Sequence, residues 1–215
     1  MSLKSALSFA ALAAACCCSA DATAAALTVH VQDGNGAGLA DTVIYAEPEG
    51  GQAPRTMASG EIAQKGLKFI PLVTVVQTGS KIYFPNNDKV RHHIYSYSPA
   101  HKFDQKLYSG EAAPPQLFDK AGTVVLGCNI HDKMLAFVKV VDTPYFAKTD
   151  GSGAVRLELP AGKYTVKAWH YNTVGGLTPE QSVQVKAGDG PAPLAFQLTM
   201  KQGSVDPDAA SRPYP

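Results

Sequence analysis

The segment from Gly127 to Met134 constrains the fold of this chain more than any other. It carries Cys128, His131 and Met134 in the spacing C-x2-H-x2-M, and it joins two stretches that have the composition of β-strands. A thiolate, an imidazole and a thioether on one short loop suit zinc, calcium or magnesium poorly. Joined by a second imidazole, they match the trigonal His₂Cys arrangement with a weak axial methionine that is typical of blue copper sites. The fold must therefore bring a distant histidine to this loop.

His92 is the candidate for that second imidazole. It ends the run 87–92, Asn-Asp-Lys-Val-Arg-His, and a second histidine, His93, follows it directly. Adjacent residues of a strand point to opposite faces, so only one of the two can face the loop. His92 is favoured. His93 stays open as an alternative ligand, or as a hydrogen-bond donor behind the ligands.

The predicted metal ligands are His92, Cys128, His131 and Met134. Each of these residues also has an ordinary role. A free cysteine is most often a buried small hydrophobe, a methionine often fills gaps in a core, and a loop histidine is usually solvated. The combination of all four in one strand frame favours a site for one copper ion.

The first 24 residues are predicted to be a cleaved signal peptide. Lys4 precedes a short apolar stretch at 6–18, and Ala22-Thr23-Ala24 forms an A-x-A cleavage site. An uncleaved N-terminal anchor and a lipoprotein cleaved before Cys16 are the alternatives. No later stretch approaches the ~18 apolar residues of a transmembrane helix. We therefore expect a periplasmic protein with no membrane span after cleavage.

Cleavage at this point would leave a single cysteine in the mature chain. The chain has 4 of them, and Cys16, Cys17 and Cys18 would leave with the signal peptide. Exported proteins usually use cysteines in disulfides, so a lone thiol in that compartment is a liability, an intermolecular bridge or a functional group. Its neighbours His131 and Met134 favour a metal-bound thiolate.

Composition and charge narrow the class of protein. The hydrophobic content of 45% and charged content of 17% are those of a globular protein, and the net charge of +1 gives no support to a nucleic-acid partner. Short alternating stretches separated by Gly, Pro and Asn predict an all-β chain. Residues 98–118 are expected to be irregular, 146–153 a turn region, and 201–215 a flexible tail. No arrangement of hydrolytic residues is evident, so the chain is not predicted to be an enzyme.

The stretch 57–141 resembles the cupredoxin family, and within it the short-loop, amicyanin-like members. Over its whole length the mature chain is similar to a bacterial group labelled methylamine utilisation protein-like. The motifs that carry these resemblances are Phe69-Ile70-Pro71, the run Asn87-Asp88 to His92, the stretch His92 to Ser96, the turn Phe118 to Gly122, and the loop Gly127-Cys128-Asn129-Ile130-His131-Asp132 with Met134.

The two flanks of that stretch resemble a carboxypeptidase regulatory-like sandwich. The first flank is 27–48, and the second, 142–200, contains Leu159-Pro160-Ala161-Gly162 followed by a strand pattern. Neither flank has enough strands to bury a core alone. We therefore predict an all-β fold in which a cupredoxin Greek-key sandwich is inserted into, or flanked by, a second Ig-like sandwich built from both flanks.

The cupredoxin resemblance implies a type 1 (blue) copper protein that carries single electrons between periplasmic redox partners. A c-type cytochrome or a periplasmic oxidoreductase is the implied partner, and His131 would present its ring edge to solvent as the electron route. A copper delivery or storage module and a non-redox surface-binding sandwich protein are the alternatives. A weakly basic face could favour an acidic partner, or be an ordinary solvated surface. It comprises Lys89, Arg91, Lys102, Lys106 and Lys133.

Overall fold

A computed structural model of the chain describes residues 24–51, 53–56, 58–109 and 113–203. Within this part of the chain the regular structure consists of strands and one turn of 3-10 helix, Val174–Gly176. The strands are β1 (Ala25–Asp33), β2 (Val43–Pro48), β3 (Ser59–Glu61), β4 (Ala63–Gln64), β5 (Phe69–Ile70), β6 (Val73–Gln77), β7 (Ser80–Tyr83), β8 (His92–Ser96), β9 (Phe103–Tyr108), β10 (Gln116–Phe118), β11 (Gly122–Gly127), β12 (Leu135–Val141), β13 (Phe146–Lys148), β14 (Ala154–Leu159), β15 (Gly162–Trp169), β16 (Glu180–Val185) and β17 (Leu194–Leu198). The predicted all-β fold class is confirmed.

Strands from the two ends of the chain build one sandwich. β1 pairs antiparallel with β14 and parallel with β17, and β2 lies between β13 and β15 in a sheet that ends with β16. Alternate residues of β1 point inward, so that Leu27, Val29 and Val31 are buried. They share a core with Leu159 and Phe196 from the second flank. Strands from both flanks thus pair in one sheet and share one core.

The chain between β2 and β13 forms a second sandwich. One sheet has the strand order β6-β12-β11-β8-β9 and the other the order β10-β7-β3, while β4 and β5 form a small separate hairpin. The pairs β6–β12 and β3–β7 are parallel, and the remaining pairs are antiparallel. Ile82 and Phe118 from the smaller sheet share one core with Ile94, Val124 and Leu126 from the larger sheet.

The two sandwiches pack against each other through an apolar face. Tyr45 and Trp169 of the first sandwich share a buried cluster with Val73 and Phe137 of the second. The Lys139 ammonium lies 5.5 Å from the ring centroids of both Tyr45 and Trp169. Burial lowers the pKa of Lys139. A partly desolvated cation over an aromatic ring contributes about 0.5–2 kcal/mol, so this lysine helps to hold the two units together.

The structure corrects two expectations about irregular regions. The stretch 98–118 contains β9 and β10, and the stretch 146–153 contains β13. These strands are short or lie at sheet edges, where β9 pairs only with β8 and β13 only with β2. An edge strand with one exposed face needs few apolar residues, so its sequence gives little alternation to detect.

Several predictions fall partly or wholly outside the described residues. These are the signal peptide up to residue 23, which includes Cys16, Cys17 and Cys18, and the tail from residue 204. Among the residues that are described, no helix has the length and apolar character needed to cross a membrane. The exact bounds of the two units stay predictions.

We expect Gly153→Ala to destabilise the sandwich that the two flanks share. Gly153 has a φ of +78°, and a Cβ there would lie 2.2 Å from the Val31 carbonyl oxygen. Overpacking against backbone typically costs about 1–3 kcal/mol, and the positive φ adds about 1 kcal/mol. Denaturant unfolding of the two variants Gly153→Ala and Gly151→Ala measures the difference.

Gly151→Ala is the matched control in the same turn, because nothing lies within 4 Å of a Cβ at that position. Its free energy of unfolding should stay within about 0.5 kcal/mol of the parent. Equal effects of the two substitutions would contradict the close packing of β14 on β1.

Candidate metal centre

The connection between β11 and β12 carries three of the four predicted ligands. Cys128 follows the last residue of β11, and Met134 precedes the first residue of β12. The two strands are antiparallel neighbours, with Gly127 opposite Leu135, so both ends of the loop are held in the sheet. Within the loop the Met134 N–H donates to the His131 carbonyl at 2.9 Å. The loop is therefore a short turn fixed at both ends.

The neighbouring strand β8 brings His92 to this loop. β8 pairs antiparallel with β11, with Tyr95 opposite Gly127, and His92 is its first residue. The His92 Nδ1 atom lies 4.0 Å from Cys128 Sγ and 3.2 Å from His131 Nδ1, and Cys128 Sγ lies 3.9 Å from His131 Nδ1. Among the residues that the structure describes, these are the three that form a group able to hold a metal ion.

The three donor atoms fit a first-row transition metal. The circle through them has a radius of about 2.2 Å, and metal bonds to imidazole nitrogen and thiolate sulfur are about 2.0–2.3 Å long. Two imidazoles, a thiol and a nearby thioether are also the donor types that copper accepts in either oxidation state. Both the size and the chemistry of the group fit copper.

Most of this group is closed to solvent. His92 is 0% exposed, Met134 1% and Cys128 3%, whereas His131 is partly exposed. Cys128 and Met134 belong to the buried core of the second sandwich. The arrangement therefore has a dry inner side and a single partly open edge at His131.

Asp88 holds the far side of the His92 ring. His92 Nε2 lies 2.9 Å from Asp88 Oδ2, and the carboxylate also accepts the N–H groups of Gly66 at 2.7 Å and Leu67 at 3.1 Å. Burial raises the pKa of Asp88, but the N–H groups of Leu67 and Gly66 and the His92 ring together hold it below its usual value. An ionised Asp88 can only accept hydrogen bonds, so His92 carries its proton on Nε2 and turns the Nδ1 lone pair toward Cys128.

Burial lowers the pKa of His131, and a charge on His92 lowers it further, while Asp88 raises it in part. These effects together favour the neutral imidazole. A neutral imidazole is the form that binds metals.

Asn86 closes the loop that leads into His92. Its buried side chain donates to the carbonyls of Val90 and Tyr108, both at 2.9 Å, and accepts the Asp88 N–H at 3.0 Å. Three hydrogen bonds from one buried amide leave the loop little freedom. The position of Asp88, and through it that of His92, depends on this anchor.

The remaining histidines lie outside the group. His93 turns to the opposite face of β8 and pairs with Asp104. His101 packs against the ring of Phe118 with centroids 4.7 Å apart, and His170 accepts the Asn172 N–H at 3.1 Å. The geometry therefore favours His92 over His93 as the ligand.

The order of the strands, the core shared by the two sheets, and a Cys–His–Met loop between neighbouring strands decide the fold of the second sandwich. It is a cupredoxin-like domain. The cupredoxin resemblance of the sequence is thus confirmed at the level of the fold.

Several solved structures are similar to part of this chain. One is a copper-containing nitrite reductase from Thermus scotoductus, with 23% identity over 44% of this chain and 25% of that chain, and a TM-score of 0.37. A purple cupredoxin from Nitrosopumilus maritimus matches at 20% identity over 38% of this chain and 99% of its own, with a TM-score of 0.34. Amicyanin from Paracoccus versutus matches at 17% identity over 41% of this chain and 85% of its own, with a TM-score of 0.36.

No protein-family model matches the sequence, and no curated protein matches it significantly. The chain spans a quarter of the nitrite reductase that it resembles. The assignment of the cupredoxin-like domain rests on its own strands and donor group.

Sequence reasoning missed the supporting residues of this site. The sequence places Asp88 in a motif and Asn86 in a turn-forming loop, but it indicates no role at the site for Asn86, Gly66 or Leu67. The spacing of Asp88 and His92, four residues apart around a turn, was the one available signal. The hairpin that carries Gly66 is more than 20 residues away in sequence, so no local pattern could link it to the site.

We expect Asn86→Ala to destabilise the protein by about 2–4 kcal/mol, because it removes three hydrogen bonds and leaves the carbonyls of Val90 and Tyr108 without this donor. The neighbouring Asn87 is exposed, so Asn87→Ala should change the free energy of unfolding by less than about 0.5 kcal/mol. Denaturant unfolding measures both variants. A neutral Asn86→Ala would mean that the loop is held by other contacts.

Proposed function

We propose that this protein is an exported type 1 copper protein that carries single electrons. It binds one copper ion through His92, Cys128 and His131, with Met134 as the weak axial ligand. The observation that supports this proposal is the donor triangle, in which two imidazole nitrogens and a thiol sulfur lie within 4.0 Å of one another. Met134 belongs to the same buried cluster as Cys128.

When bound, copper supplies a one-electron couple between Cu(I) and Cu(II). The protein would supply a ligand set that its own contacts hold in place. His92 is held by Asp88, His131 accepts the Met134 N–H through its carbonyl, and Cys128 is fixed at the end of β11. Because these contacts are made within the protein, little would have to rearrange when the charge of the ion changes. A low cost of rearrangement suits an electron carrier.

His131 is the residue through which electrons enter and leave in this proposal. The other three ligands are at most 3% exposed, whereas His131 is partly open to solvent. A redox protein, such as a c-type cytochrome or a periplasmic oxidoreductase, would dock over this edge. We propose a carrier and not an enzyme, since electron transfer needs only this one partly open edge at His131.

Export to the periplasm is part of the proposal. It is supported by the charged start, apolar stretch and A-x-A site of residues 1–24. A single thiol in the mature chain, buried at Cys128, fits a metal ligand in an oxidising compartment.

Copper delivery or storage is the second candidate function. Thiolate and thioether donors favour Cu(I), and the partly exposed His131 edge is a route by which a bound ion could be exchanged. Rapid loss of copper to a competing chelator would favour this candidate. Retention of copper with reversible redox cycling would favour electron transfer.

The decisive test is the visible spectrum after addition of Cu(II). We expect an intense charge-transfer band in the wild type, because a copper–thiolate bond produces it, and none in Cys128→Ala. His92→Ala should also lose this band, whereas His93→Ala should retain it, because the His93 side chain pairs with Asp104 outside the group. A wild type that binds Cu(II) without the band would exclude a type 1 site.

Met134→Leu tests the axial ligand. Leucine is close in volume to methionine, so the fold should lose less than about 1.5 kcal/mol of stability. We expect the charge-transfer band to remain and the reduction potential to rise, because Cu(II) loses a donor that it needs more than Cu(I) does. Protein-film voltammetry measures the potential, and an unchanged value would place Met134 outside the coordination sphere.

A further inference from the structure

One carboxylate connects the candidate ligand His92 to a hairpin that lies elsewhere in the sequence. Asp88 Oδ2 is 2.9 Å from His92 Nε2 and 3.1 Å from the Leu67 amide, while Asp88 Oδ1 accepts the Gly66 N–H at 2.7 Å. The Asp88 side chain is only 14% exposed and that of His92 is 0% exposed. The carboxylate is therefore held by three donors in a largely dry environment.

The hairpin tip has an unusual backbone that aims two donors at Asp88. Gly66 has a φ of +63° and Leu67 a φ of +58°, and the Lys65 N–H donates to the Lys68 carbonyl at 3.0 Å. Positive φ at both central residues is the arrangement of a type I′ turn, which usually takes Asn and Gly. A leucine there is strained, and such strain is retained mainly where the surrounding contacts require it. Here the turn presents two consecutive N–H groups to one carboxylate.

The loop around Asp88 does not need this carboxylate to close. Asn86 already ties it through its bonds to Val90, Tyr108 and the Asp88 N–H. The acceptor capacity of the Asp88 side chain is directed instead at the hairpin and at His92. Asn86 therefore closes the loop, whereas the side chain of Asp88 orients His92.

We propose that Asp88, clamped by the Gly66–Leu67 turn, is a positioning residue that locks His92 in the tautomer and orientation needed to bind copper. The carboxylate accepts the proton-bearing Nε2, so that Nδ1 keeps a free lone pair 4.0 Å from Cys128 Sγ and 3.2 Å from His131 Nδ1. The copper part of this inference rests on the proposed function. The tautomer part concerns the metal-free protein and does not.

The first experiment is ¹⁵N NMR of the histidine rings in the metal-free protein at neutral pH. The wild type should show His92 with its proton on Nε2, and Asp88→Ala should show a mixture of both tautomers. Asp104→Asn is the matched control, because Asp104 pairs with His93 on the other face of β8. A wild-type His92 protonated on Nδ1 would overturn the proposal without the need for any variant that might fail to fold.

The second experiment compares copper binding in Asp88→Asn with the wild type. Loss of a carboxylate behind a ligating histidine typically lowers metal affinity about 10–100-fold, and we expect this loss for Cu(II). If Cu(I) affinity is unchanged, each tenfold loss raises the reduction potential by about 59 mV. Asp104→Asn should leave affinity and potential unchanged, and Asp88→Glu should restore part of the loss.

The possible results distinguish a failure of the positioning role of Asp88 from a failure of the proposed copper function. Unchanged affinity and potential in Asp88→Asn, with the Cys128-dependent band intact, would overturn the positioning role and leave the copper site in place. A wild type that lacks the Cys128-dependent band would overturn the proposed function. The NMR result would then still decide whether Asp88 sets the tautomer of His92.

Discussion

The backbone pairing at Gly127 is the constraint on which the site depends. This residue faces Leu135 of β12 on one side and Tyr95 of β8 on the other, so three strands meet at one position. A Cβ on Gly127 would lie 2.8 Å from Tyr95 Cζ, so a side chain there would have to displace the Tyr95 ring. This pairing places the strand that ends just before Cys128 beside the strand that starts at His92. Sheet register, and not the loop alone, thus brings the donors together.

The sandwich built from the chain ends supports the same sheet from outside. β12 begins after Met134, and farther along it Phe137 and Lys139 pack against the sandwich, where the lysine lies over Tyr45 and Trp169. A strand held along its length cannot shift its first residue without breaking those contacts. The outer unit therefore stabilises the frame of the metal site, although none of its residues belongs to the donor group.

The sequence allowed the ligand loop to be predicted because its residues are neighbours in the chain. The spacing of Cys128, His131 and Met134 already places three donors on one short turn. The sequence already favours His92 over His93, and the structure adds which face of β8 each occupies: His92 lies beside Cys128, and His93 lies beside Asp104. The contact of the Gly66–Leu67 turn with Asp88 could not be predicted for a different reason. Gly66 and Leu67 bind through backbone N–H groups, so the identity of their side chains does not indicate this role. Edge strands β9 and β13 were missed because pairing with a single neighbour demands little alternation.

The contacts of the site also explain why its rigidity is uneven. His92 is fixed from behind by Asp88, and Cys128 and Met134 lie at strand ends inside a packed core. His131 has no such strand. Its position follows from the short loop and from the bond between its carbonyl and the Met134 N–H. Such a site has three donors fixed in the core and a fourth, His131, at the solvent edge. It can keep its geometry when a partner protein contacts only His131. Under the proposed function, this asymmetry would separate holding the ion from exchanging an electron, and the exchange would take place at His131.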